Sequence, residues 1–175
     1  AVSPDWLEFG PGESSPASTP GKKVFGQRAL SVPETLLETV MVPKVKATLC
    51  AGGGSFELEA VPVAEHPMPR SWLSRMGKPE AMVFMDVIGN SMEPGIRDGD
   101  MVLVDQTVTE PVQKTVLAVG YEDAIFIKRV RARPSGIALL SDNPDYAPIE
   151  IMGDEMASFR IIGKVVWLCR DCRYA

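Results

Sequence analysis

From Met82 to Leu168 the apolar residues of this chain fall in short runs of Val, Ile, Leu and Met, each closed within a few positions by Gly, Pro, Asp or Asn. That pattern restricts the fold more than any other feature. A globular helix needs apolar positions three and four apart over about 10 residues or more, whereas a strand needs only about four to eight residues. Met82–Ile88, Met101–Val104, Thr115–Val119, Ala124–Val130, Ile137–Leu140, Pro148–Ile151 and Ile161–Leu168 are therefore expected as strands. Asp98-Gly99-Asp100 and Ser141-Asp142-Asn143-Pro144-Asp145 supply turn chemistry between them, and Gly120-Tyr121-Glu122-Asp123 has the length and residue types of a hairpin turn. The expected fold class is mostly β with little helix.

Upstream, Val45, Ala47 and Leu49 alternate with Lys44, Lys46 and Thr48, Gly52-Gly53-Gly54 interrupts, and Phe56 and Leu58 then oppose Glu57 and Glu59. This reads as strand, glycine loop, strand, with the globular part starting near Val42. Trp72–Met76 fits one short helix, bounded by Pro69 before it and by Gly77 and Pro79 after it. Residues 1–12 hold an apolar cluster (Trp6, Leu7, Phe9) closed by Gly10-Pro11-Gly12, as at the end of a preceding domain. Ser, Pro, Thr and Gly dominate the positions that follow, too polar to form a packed core, so 13–42 reads as a linker and 43–175 as the main domain. Within the linker, Pro33–Val40 fits a helical turn or an extended arm equally. The start at Ala1 rather than Met is expected of a fragment or a processed product.

Several function classes are disfavoured by charge and composition. A net charge of −5 over 175 residues is the wrong sign for a segment that itself grips a phosphate backbone. There is no uncharged apolar run of about 18 residues and no basic start followed by an apolar h-region, so no membrane contact is expected and the reading is cytoplasmic. Three cysteines without a secretory signal fit a reducing compartment. Cys169-Arg170-Asp171-Cys172 has the spacing of a zinc half-site, but with only Cys50 and His66 as further soft ligands it reads as two cysteines flanking a turn. Neither metal nor cofactor is expected.

One stretch carries chemistry beyond folding. Gly89-Asn90-Ser91-Met92-Glu93-Pro94-Gly95 places a serine on a glycine-bounded turn between two core strands, where rigid elements hold a loop. A serine hydroxyl needs a base to become a nucleophile. The only histidine, His66, sits in the proline-rich, loop-like Glu65-His66-Pro67-Met68-Pro69 and reads as incidental. Lys128, 37 positions beyond Ser91, shares a strand face with Phe126 and Val130. Burial there would disfavour its charged form and bring its pKa down toward the range of a general base. Read from periodicity alone, Ser91 as a turn cap and Lys128 as a snorkelling edge lysine remain open.

The ordered set GNSMEPGIRDGDMVLVD, IKRV, LLSDNPDYAPIEI and IIGKVVW resembles the LexA-like family of self-cleaving repressors and mutagenesis proteins over about residues 45–170. The resemblance implies several small, strongly bent antiparallel sheets, with Ser91 as nucleophile and Lys128 as general base. It further implies that the Ser91 amide and a neighbour hold the oxyanion, worth about 3 kcal/mol per donor, and that Met92 packs beneath the turn. Gly89, Gly95, Gly99 and Asp100 would shape the loop. The substrate in such proteins is their own chain, and Ala51-Gly52 is the matching small-residue bond, 40 positions before Ser91. Cutting there would separate this domain from a DNA-binding domain. SPDWLEFGPGE resembles the last helix of a phage-repressor helix-turn-helix domain, most of which would then lie outside this chain. The implied partners are a second copy, forming a homodimer, operator DNA through that missing domain, and a RecA filament as the trigger of a damage (SOS) response. Two alternatives stand beside this reading. One is a dimerisation module of a phage-like repressor that does not cleave. The other, a signal peptidase, needs a membrane anchor that these residues lack.

Overall fold

The computed structural model describes residues 38–46, 62–122 and 124–174. Among the described residues nine strands form: β1 Thr39–Val45, β2 Pro62–Pro69, β3 Met82–Asp86, β4 Met101–Asp105, β5 Leu117–Tyr121, β6 Ala124–Arg133, β7 Gly136–Leu140, β8 Ile149–Met152 and β9 Phe159–Cys169. One α-helical turn, α1 Arg70–Leu73, follows β2, starting ahead of the expected Trp72–Met76 and overlapping it at Trp72 and Leu73. The mostly β, low-helix expectation holds. The strands follow one hydrogen-bonded order, β2-β1-β3-β4-β9-β5-β6-β7-β8. Long strands make that continuity possible: β6 pairs with β5 through its first half and with β7 through its second, and β9 bridges β4 and β5. One contact departs from the antiparallel expectation, the short parallel pairing of Lys44 and Val45 with Phe84 and Met85.

Central strands read as continuous apolar runs because both faces are covered. In β4, Val102 and Val104 enter one core cluster with Val83, Met85 and Met92, while Leu103 enters another with Val42, Leu73 and Phe84. β5 divides likewise, Ala118 joining the first cluster while Leu117 and Val119 pack with Val130, Leu139 and Ile151 in a third. Complete burial of side chains such as these is worth roughly 1.5–3 kcal/mol each. Trp72, Trp167 and Phe84 meet edge to face with centroids 5.3 and 6.3 Å apart, closing the second cluster.

Two differences from the sequence reading concern the start of the sheet. β1 opens at Thr39, ahead of Val42, because Val40 and Val42 already pack on the face carrying Leu73 and Phe84. The stretch around His66, read as a loop, is strand β2, paired with β1 from Thr39–Pro69 to Val45–Pro62. Its prolines are tolerated because β2 lies at an edge, where a missing N–H interrupts no second ladder. The expected strand over 55–61 and the bond Ala51-Gly52 lie outside the described residues. The hairpin between β5 and β6 is tighter than expected, pairing Tyr121 with Ala124.

Candidate active site

Ser91 lies in the irregular stretch of residues 87–100 that joins β3 to β4. The local sequence prevents regular structure there: Gly89 and Gly99 sit at φ +88° and +79°, where a side chain is strained, and Pro94 lacks an N–H. Short bonds close the stretch on itself. The Gly89 N–H donates to Asp98 Oδ1 at 2.7 Å, the Glu93 N–H to the Asn90 carbonyl at 3.1 Å, and the Ile96 N–H to the Met92 carbonyl at 3.0 Å. Met92, only 1% exposed, and Ile96 point into the first core cluster. The loop is thus anchored from below, as the resemblance implied for Met92, with Ser91 half-buried above it. Among the described residues no acceptor takes up the Ser91 N–H.

Lys128 reaches the same place from the sheet. It stands opposite Leu117 in the β5–β6 ladder, and its neighbours Phe126 and Val130 enter the third core cluster, the face that the alternation assigned. Only 4% of the residue is exposed. Burial lowers the pKa of its ammonium from the ordinary lysine value, with the charge of Asp142 opposing that effect more weakly. Nζ donates to Ser141 Oγ at 2.9 Å and lies 5.6 Å from the centre of the Tyr146 ring. The register explains the first contact. Arg129 pairs with Leu140, so the next position outward sets Lys128 against Ser141.

Ser91 and Lys128 line one cavity of about 230 Å³, together with Ile88, Phe126, Ser141 and Tyr146. The two side chains line the same small cavity, but among the described residues the Lys128 amine is hydrogen-bonded to Ser141 and not to Ser91. Activating a serine without histidine requires such a base within reach of the hydroxyl. His66 takes no part in it. Its ring packs edge to face on Phe84 with centroids 5.2 Å apart, and Nε2 has no hydrogen-bond partner among the described residues. Cys169 and Cys172 are exposed free thiols, and no cluster of metal-binding side chains occurs among the described residues.

The turn after β7, part of a stretch that carries the family resemblance but was given no role at the site, contributes further residues. The Asn143 N–H donates to the Ser91 carbonyl at 3.1 Å, Asn143 Nδ2 to the Asn90 carbonyl at 3.1 Å, and the Tyr146 hydroxyl to Asn90 Oδ1. Asn143 is 8% exposed, so its two bonds are partly sheltered from water, whereas the Tyr146–Asn90 bond lies at the surface. One turn therefore touches both Ser91, through Asn143, and Lys128, through Ser141. The available signal was density of function: Ser141, Asp142, Asn143 and Tyr146 offer more hydrogen-bonding side chains than a link between two apolar strands requires.

Comparison with known proteins identifies relatives of this chain. The chain is 35% identical over 119 residues to an uncharacterised HTH-type transcriptional regulator of Haemophilus influenzae, covering 66% of this chain and 50% of that protein. It is 33% identical over 99 residues to a LexA repressor of Pasteurella multocida, covering 56% and 46% of the two chains. Over 87 residues it is 36% identical to a LexA repressor of Burkholderia mallei, covering 49% and 40%. The chain thus spans half the length of these relatives, or less. Residues 43–166, from β1 through most of β9 and including the whole cavity, match the model of one family, and on that match this chain belongs to the Peptidase S24-like proteins.

Proposed function

We propose that this chain is the C-terminal part of a transcriptional repressor of the LexA and phage-repressor type, and that it cleaves itself at Ala51-Gly52 with Ser91 and Lys128. The observation that carries this reading is the buried amine, of lowered pKa, in one cavity with the serine of the loop. Neutral Lys128 takes the hydroxyl proton while Ser91 Oγ bonds to the Ala51 carbonyl carbon, and the Ser91 N–H, which has no acceptor among the described residues, is available to the oxyanion. Collapse of the tetrahedral species breaks the bond to Gly52, whose nitrogen leaves with the proton that Lys128 held. Water then hydrolyses the ester and restores Ser91. A tethered substrate gains from high effective concentration.

A slot suited to an extended segment adjoins Ser91. Residues 86–89 and Ser91 form one wall of a cavity of about 140 Å³, and Ile125–Ile127 form the other. Among the described residues the first half of β6 is paired along one edge, with β5, because β7 begins pairing at Arg129. The other edge offers backbone groups to an inserted strand. Ile88, 91% exposed, supplies an apolar contact at its rim. Two copies paired through this domain would set two helix-turn-helix domains on a two-fold operator, and cleavage would release them.

Incubating the purified chain across rising pH tests the reading. Fragments ending at Ala51 and starting at Gly52 are expected, in amounts that increase as Lys128 loses its proton, and Ser91→Ala should yield none. A wild-type chain that stays intact from neutral to alkaline pH makes this a binding module without self-cleavage.

A further inference from the structure

A second clamp holds the loop at the end away from Asn143, and its residues lie outside the proposed dyad. Asp100, 1% exposed, accepts two bonds from one guanidinium: Arg170 Nε to Oδ1 and Arg170 Nη2 to Oδ2, both 2.7 Å. The same Nη2 also donates to the Gly95 carbonyl at 3.0 Å. Asp100 Oδ2 takes the Arg97 N–H at 2.8 Å, and the Asp100 carbonyl takes the Val87 N–H at 2.8 Å. Arg170 follows β9 and so approaches from the far end of the chain. Its planar fork satisfies a buried carboxylate bidentately while reaching the loop backbone, which lysine's single ammonium cannot reproduce. The guanidinium and the Arg97 N–H hold the Asp100 carboxyl below its ordinary range, so the pair stays charged at neutral pH.

We infer that Arg170, acting through Asp100 and the Gly95 carbonyl, is a positioning residue for the Ser91 loop. This rests on the reading of Ser91 as nucleophile. The link to Ser91 is short: Arg170 fixes Gly95, and the adjacent Ile96 N–H is bonded to the Met92 carbonyl, next to Ser91. Although Ile96 is buried, Gly95 has no side chain to pack and Pro94 is exposed, so these two residues provide little restraint of their own. The Arg170–Asp100 pair replaces it.

The test measures self-cleavage of the purified chain across pH, thermal melting, and amide exchange in the peptide covering residues 87–100, for wild type, Arg170→Gln, Arg170→Lys and Ser91→Ala. Displacing a nucleophile by about 1 Å can cost on the order of 100-fold in rate, the fall expected for Arg170→Gln at the alkaline plateau. The midpoint of its pH profile should match wild type, because Lys128 is untouched. Exchange in the loop should quicken, and Arg170→Lys should recover part of the rate. Cleavage of Arg170→Gln at the wild-type rate overturns the inference while leaving the dyad standing. A shifted midpoint overturns it too, since Arg170 would then act on the base. So does a slowing that follows only a lowered melting temperature, without rescue by lysine. A wild-type chain as inert as Ser91→Ala removes the dyad reading and this inference with it.

Discussion

The two halves of the candidate site are held by different physics. Lys128 stands in the middle of a ten-residue strand and is placed by ladder register: Leu117 opposite it on one side, Ser141 at the next position on the other. Ser91 stands in a stretch with no ladder and is placed by bonds from distant residues, Asn143 at one end and Arg170 at the other, with Met92 buried beneath. A base can thus be delivered by local alternation alone, whereas a nucleophile presented on a turn depends on tertiary bonds to its backbone. Damage to the strand should therefore change when the lysine is neutral, and damage to the loop should change where the serine is.

Three substitutions test that contrast, beginning with the largest effect. Met92→Ala removes a fully buried anchor from the first core cluster and should cost about 2–5 kcal/mol in denaturant unfolding. A cost near zero would mean the loop is not anchored by burial. Asn143→Ala keeps the backbone bond to the Ser91 carbonyl but leaves the Asn90 carbonyl without its side-chain donor and the Asp145 N–H without its acceptor, and should cost about 1–3 kcal/mol, with faster amide exchange in the loop but not in β6. Equal quickening in both elements would show that they are one cooperative unit and dissolve the comparison.

The smallest effect isolates the strand. The Asp142 carboxylate favours the charged form of Lys128, so Asp142→Asn should lower the lysine's pKa further. Loss of the bonds between Asp142 and Arg129, at 2.6 and 2.8 Å, leaves an unneutralised cation nearby and acts in the same direction. The pH profile of cleavage should move to lower pH, with more cleavage at neutral pH and an unchanged alkaline plateau. A profile moving upward would contradict the account of what controls the base.

Legibility in the sequence follows the same division. Most strands from Met82 onward were readable because alternation and turn residues are local signals, and the face shared by Phe126, Lys128 and Val130 followed from a period of two. β2 was not readable. Its prolines argue against a strand unless it lies at an edge, and edge position is a property of the assembled sheet. Ser141 and Asn143 read as ordinary turn residues and Tyr146 had no assigned role, because what distinguishes them is the groups they meet across the fold.

What the sequence by itself determined was the list of parts: a mostly β domain, a serine on a glycine-bounded turn and a lysine on an apolar strand face. Only the tertiary structure decided that these two share one cavity, and that turn 141–146 and Arg170 hold the serine's loop. The physical reason is range. Strand periodicity is set between neighbouring residues, whereas burial of Lys128 and restraint of a loop are set by groups that only folding brings within hydrogen-bond reach.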